Sequence, residues 1–168
     1  MIYLKRLALF ALISAVMLSF TACKGNNGFV FQKKGTYQVV EEYTEISFTA
    51  TIGDIQSTAT FTAPSAVSGL VAIKDQEQGY KLKYGDMGIS VGNFAVKAAD
   101  DFFAAIDTLE MAGEFRDGVI TASIDDIKVK GIIKNGCLSI LHFTDGINSR
   151  KYIITTEATV WKTVQKQG

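Results

Sequence analysis

The sequence predicts a mainly β protein of the α+β class: an antiparallel sheet built from hairpins, with one amphipathic helix packed on its apolar face. Three observations predict it. Segments alternating apolar and polar residues recur from Ile46 to Thr156. Gly-Asp, Asp-Gly and Asn-Gly pairs separate them, as two-residue hairpin turns require. Only Ala98–Met111 carries apolar residues at helical spacing.

Ile46–Ala63 is the clearest hairpin. Ile46, Phe48, Ala50 and Ile52 alternate with Ser47, Thr49 and Thr51; beyond Gly53-Asp54, Ile55, Ser57, Ala59 and Phe61 alternate with Gln56, Thr58, Thr60 and Thr62. Gly before Asp suits a II′ turn. That turn would set Ile52 opposite Ile55, Ala50 opposite Ser57, Phe48 opposite Ala59 and Ile46 opposite Phe61. One face is then apolar, and the other has the Thr, Ser and Gln of a solvated sheet surface. Pro64 lacks a ladder donor and ends the pairing. Val67–Lys74 follows as a strand.

The turn chemistry then repeats. Around Gly85-Asp86, Tyr84 faces Met87, Leu82 faces Ile89 and Tyr80 faces Val91. In the helix, Ala99, Phe102, Phe103, Ile106 and Leu109 form one apolar stripe. Asp100 and Asp101 suit the positive end of its dipole, and Gly113 suits its stop. After it, Asp117-Gly118 joins 113–116 to Val119–Ser123, and Asp125-Asp126 leads into Ile127–Gly131. Asn135-Gly136, the strongest turn signal, would set Ile133 against Leu138, Gly131 against Ile140 and Val129 against His142. Asp145-Gly146 turns into Arg150–Thr156, which extends toward Val160 and Trp161. About nine to eleven strands are expected.

The N-terminus is organised differently. Lys5 and Arg6 precede an uncharged apolar run, Leu7–Phe20, then Thr21, Ala22 and Cys23. These are the marks of a secretory signal. The run of about 14 residues falls short of the roughly 20 that a spanning helix needs. Leu18–Lys24 (LSFTACK) resembles the lipobox of bacterial lipoproteins, with Phe20 where Leu is usual. The resemblance implies diacylglyceryl attachment to Cys23 and removal of residues 1–22. Residues 23–36 would then be lipid anchor and tether, with Phe29-Val30-Phe31 as an apolar interruption, and residues 37–164 the β-domain. Two or more acyl chains hold a protein firmly at a membrane. The expected location is the extracytoplasmic side of the cell membrane, or an outer membrane where the source has two.

Cleavage removes Lys5 and Arg6 from 17 basic residues, leaving 15 against 17 acidic. That balance excludes a nucleic-acid partner of the basic-patch kind. If Cys23 is lipidated, Cys137 has no partner within the chain, and burial suits it best. Lone His142 provides no metal set, and no nucleophile elbow, phosphate loop or metalloprotease motif is present. No catalytic residue, metal or cofactor is expected, and the protein is read as a non-enzyme. The pairs Asp100-Asp101 and Asp125-Asp126 suit a helix start and a turn. Lys81, Lys83, Lys128 and Lys130 suit outward strand faces.

Hairpins, then Pro64–Leu70 (PSAVSGL), an aromatic strand ending in Gly85-Asp86-Met87-Gly88-Ile89, a helix and further hairpins resemble the lipoprotein-localisation-factor-like (LolA/LolB-like) half-barrels. The likeness covers about residues 37–160 and is greatest to the lipid-anchored versions of clostridia-type bacteria. It implies that the sheet curves into an incomplete barrel enclosing an apolar cavity for acyl chains. Phe48, Phe61, Tyr80, Leu82, Tyr84, Met87, Phe102, Phe103 and Ile106, with Trp161, are the candidates to line it; the same residues would equally serve as plain core. Expected partners are the membrane through Cys23, a lipid or acyl chain, and an envelope protein. The alternative reading is a scaffold lipoprotein that displays a surface to such an envelope partner.

Overall fold

The structure, a computed structural model, describes residues 29–77, 79–91, 96–155 and 161–163. The segment expected to be a secretory signal, residues 1–22, and Cys23 lie outside the described residues. The described chain is one compact unit, Phe29–Thr163.

The first half is β1 (Phe29–Phe31), β2 (Gly35–Glu41), β3 (Ser47–Ile52), β4 (Gln56–Ala63), β5 (Leu70–Asp75), β6 (Gly79–Tyr84) and β7 (Met87–Val91). Helix α1 (Lys97–Ala112) follows. The second half is β8 (Glu114–Arg116), β9 (Val119–Ile124), β10 (Ile127–Lys134), β11 (Cys137–Thr144), β12 (Ser149–Ile154) and β13 (Trp161–Thr163). Thirteen strands are described, and eleven of them form one antiparallel sheet in the order β7-β6-β5-β4-β3-β2-β12-β11-β10-β9-β8. β1 and β13 pair separately. The stretch expected as tether thus supplies β1 and the start of β2.

The sheet is two meanders joined at a seam. β2–β7 run outward to one edge, and β8–β12 run back from the other. In the chain, helix α1 falls between the two edge strands, and the sheet stays open between β7 and β8. The seam is short: Tyr152 pairs with Glu41, Ile153 with Val40 and Ile154 with Val39. Two further backbone bonds extend it, from Glu42 N to Lys151 O (2.9 Å) and from Thr155 N to Gln38 O (3.0 Å).

Phe102 closes the core over this seam. Its ring meets Tyr37, Phe48 and Tyr152 at centroid distances of 5.9, 5.7 and 5.5 Å, all edge-on. Those residues stand on β2, β3 and β12, so one helical side chain ties both meanders together. Such pairs add about 0.5–1.5 kcal/mol each beyond burial. Ile106 and Leu109 continue the buried stripe toward Ile120, Leu138 and Leu141. Gly131 on β10 has no room for a Cβ, which would lie 2.7 Å from Ile120 and 2.8 Å from Leu138.

Two predicted registers differ from the structure. Between β3 and β4, Ile52 pairs with Ser57, Ala50 with Ala59 and Phe48 with Phe61. This is a slip of two residues from the II′ expectation, and it leaves every side chain on its predicted face. It matches ring to ring, with Phe48 and Phe61 centroids 5.4 Å apart, and methyl to methyl. The loop lengthens to Gly53–Gln56, and Ile55 becomes exposed. Between β10 and β11, Ile133 does pair with Leu138, but a bulge follows. Gly131 then faces Leu141 and Val129 faces Phe143, instead of Ile140 and His142. The bulge keeps Leu138, Leu141 and Phe143 all buried. Cys137 is half-buried beside the turn rather than fully inside.

Candidate functional site

Strand register fixes which side chains share the concave face at the β7 edge. Leu70 is opposite Tyr84, and Leu82 is opposite Ile89. Tyr84 is opposite Met87 across the β6–β7 turn, where Gly85 has φ 56°. Gly69, at φ 84°, brings the chain against the Tyr84 ring, only 3.4 Å from where a Cβ would stand. The result is an open groove of about 250 Å³ lined by Leu70, Leu82, Tyr84, Met87 and Ile89, with Lys83 and Gly88 at its side. Tyr84, Met87 and Ile89 are 56%, 71% and 61% exposed. Adjacent large apolar side chains left in water mark a binding surface more often than chance.

The helix leaves this region bare for a geometric reason. Eleven strands about 4.8 Å apart span roughly 48 Å. A helix is only about 10–12 Å wide with its side chains. Helix α1 lies close to β9, β10 and β11. Its Phe102 ring reaches β2 and β3, and farther out, at β5 and β6, long polar groups tie it to the sheet. Tyr80 Oη donates to Asp100 Oδ1 (3.1 Å), and Lys74 Nζ donates to Asp107 Oδ2 (3.1 Å). Lys33 Nζ lies 3.3 Å from Asp107 and 2.7 Å from Glu110. Burial, then Asp100, pushes the Tyr80 hydroxyl up to about 12. Glu110 holds the Lys33 ammonium above its ordinary value. These contacts form a polar rail between helix and groove.

The candidate lining residues divide into two sets. Phe48, Phe61, Phe102, Phe103 and Ile106 are solid core. Leu82, Tyr84 and Met87 line the groove, and Tyr80 stands on the rail. Trp161 falls in β13, in the two-stranded sheet with β1. Leu70 and Ile89 complete the groove. Ile89 was legible through its predicted pairing with Leu82.

A buried charged group lies at the seam, and sequence reasoning missed it. Arg150 Nε donates to Asp101 Oδ2 (2.6 Å), and its Nη1 lies 3.9 Å from Glu41. Lys97 Nζ donates to Asp101 Oδ1 (2.7 Å). Glu41 also accepts from the Thr44 backbone N–H (2.8 Å) and the Thr44 hydroxyl. Both carboxylates are buried. Asp101 therefore pins the helix start to β12, and Arg150 links it onward to Glu41 on β2, beyond its expected role at the helix dipole. The available signal was Glu41 itself, an acid in the inward series Tyr37, Val39, Glu41.

A larger hollow of about 570 Å³ lies by Ala112, Glu114, Thr121, Ser123 and Lys128. With Ala122 and Val129 also in its lining, its walls are mixed, and they suit an apolar ligand less well than the edge groove does. Among the described residues no cluster of acids, His and Cys could hold a metal, and none of their helices is long and apolar enough to cross a membrane. The edge groove can desolvate a slim apolar group. No family model, curated protein or solved structure matches the chain.

Proposed function

We propose that the protein is a lipoprotein, anchored through Cys23 outside the cytoplasmic membrane, that takes a single acyl chain into the groove at β5–β7. The observation that carries this reading is the apolar groove lined by Leu70, Leu82, Tyr84, Met87 and Ile89 at the sheet edge. Drug-sized ligands occupy about 300–1,000 Å³. A groove of about 250 Å³ suits one slim chain better than a bulky ring system or a two-chain lipid. The anchor rests on the basic start, the short apolar run and the lipobox-like LSFTACK.

Binding of a fluorescent fatty acid tests the groove. Met87 is largely exposed, so Met87→Glu spares the fold while placing charge where the chain would lie. The expected result is at least a tenfold loss of affinity at unchanged melting temperature. Equal binding by both proteins would reject the groove. Cell fractionation tests the anchor: Cys23→Ser should move the protein from membrane to soluble fraction, and a variant that stays membrane-bound would reject lipidation at Cys23.

A further inference from the structure

We propose that two copies of this chain pair through β7, antiparallel and edge to edge, about a two-fold axis at Ile89. Soluble proteins blunt their sheet edges with short strands, Lys, Pro or bulges. The β8 edge follows this rule, with three residues and charges on both sides of Phe115. The β7 edge does not. It is Met-Gly-Ile-Ser-Val, five residues without charge or Pro, and it has no second neighbour among the described residues.

Its register makes it self-complementary. Across a two-residue turn the closing pair is hydrogen-bonded, so Met87, Ile89 and Val91 bond to β6. Gly88 and Ser90 therefore turn their N–H and C=O groups outward. Setting Gly88 of one copy against Ser90 of the other satisfies these groups reciprocally. The same register places Ile89 against Ile89 and Met87 against Val91, all on the concave face. Met87 and Ile89, exposed in the single chain, then cover one another. The convex face meets with only Gly88 and Ser90. The lysines Lys81 and Lys83 sit one strand back on β6, so those of the two copies lie about three strand spacings, roughly 14 Å, apart. That exceeds the Debye length of about 8 Å at physiological salt. The interface is isologous and closes as a dimer. Its hydrogen bonds come from the outward edge of β7 alone, so the proposal does not rest on an acyl chain in the groove.

Disulfide trapping in the full-length chain tests it, with Cys137→Ser as background. Directly opposed residues of a non-hydrogen-bonded pair have Cα atoms about 4.5 Å apart, within disulfide reach. Ile89→Cys should therefore give a covalent dimer on mild oxidation, well above the Cys137→Ser background. Gly88→Cys should give at least tenfold less, since its own copies would lie about 8 Å apart, beyond bridging distance. Adding Ser90→Pro to Ile89→Cys should abolish the product, because that substitution removes an outward N–H while sparing the β6 ladder and the groove side chains. Equal trapping at both positions, trapping that survives Ser90→Pro, or trapping onto a different protein would overturn the proposal. So would a chain that stays monomeric with a lipid over Ile89.

Discussion

Over β9, β10 and β11 the helix packs directly on the sheet, with Leu109 3.7 Å from where a Cβ on Gly131 would stand. At β5 and β6 the same helix is held by a tyrosine and a lysine reaching across to Asp100 and Asp107. One side of the concave face is a dry core, and the other is a polar rail with bare apolar strands beyond it. The difference shows what a single helix can do in an open sheet: it seals one meander and the seam, and it leaves the far edge for something else. The sealed side should govern stability, and the bare side should tolerate change.

Phe102→Ala tests the sealed side most severely. It empties the space among Tyr37, Phe48 and Tyr152 and should cost about 3–5 kcal/mol in denaturant unfolding. Ile89→Ala, on the bare side, should stay within about 0.5 kcal/mol. Similar losses at both positions would erase the distinction. Arg150→Ala strips the seam of the cation shared by Asp101 and Glu41. Leaving buried carboxylates short of a partner should cost about 2–4 kcal/mol, and Asp101→Asn in the same chain should recover part of it. Gly131→Ala forces a methyl against Ile120 and Leu138, and overpacking of that kind costs about 1–3 kcal/mol.

The rail should give the smallest effect and a distinct pH signature. The Tyr80 hydroxyl is pushed up to about 12, whereas an unfolded tyrosine titrates near 10. The folded chain therefore holds this proton more tightly. Its contribution is fully present below about pH 10 and is lost as pH rises toward about 12. Tyr80→Phe should cost under about 1 kcal/mol at neutral pH and flatten that alkaline decline; an unchanged pH profile would remove Tyr80 from the rail.

Much of this architecture was legible in the residues because alternation and turn chemistry are local. The β6–β7 and β8–β9 hairpins and the helix follow from them directly. The β3–β4 register slipped because alternation has a period of two, so a shift of two residues preserves every face. Only the tertiary match of Phe48 with Phe61 selects between the choices. The β10–β11 bulge was hidden because Ile140 and Leu141 are both apolar, and either could point inward. The seam charges join residues far apart in the chain, 49 positions for Asp101 and Arg150, beyond any local pattern. The groove was half legible. Leu82, Tyr84 and Met87 were picked out, but nothing local separates them from Phe48 and Phe61. That separation depends on where the helix lies.

The most direct test is native mass spectrometry of the secreted Cys23→Ser chain, followed by organic extraction of whatever travels with it. The account predicts one single-chain acyl compound per protein, released on unfolding and missing from Met87→Glu. A chain recovered empty, and still empty after incubation with fatty acids, would contradict the groove as a ligand site.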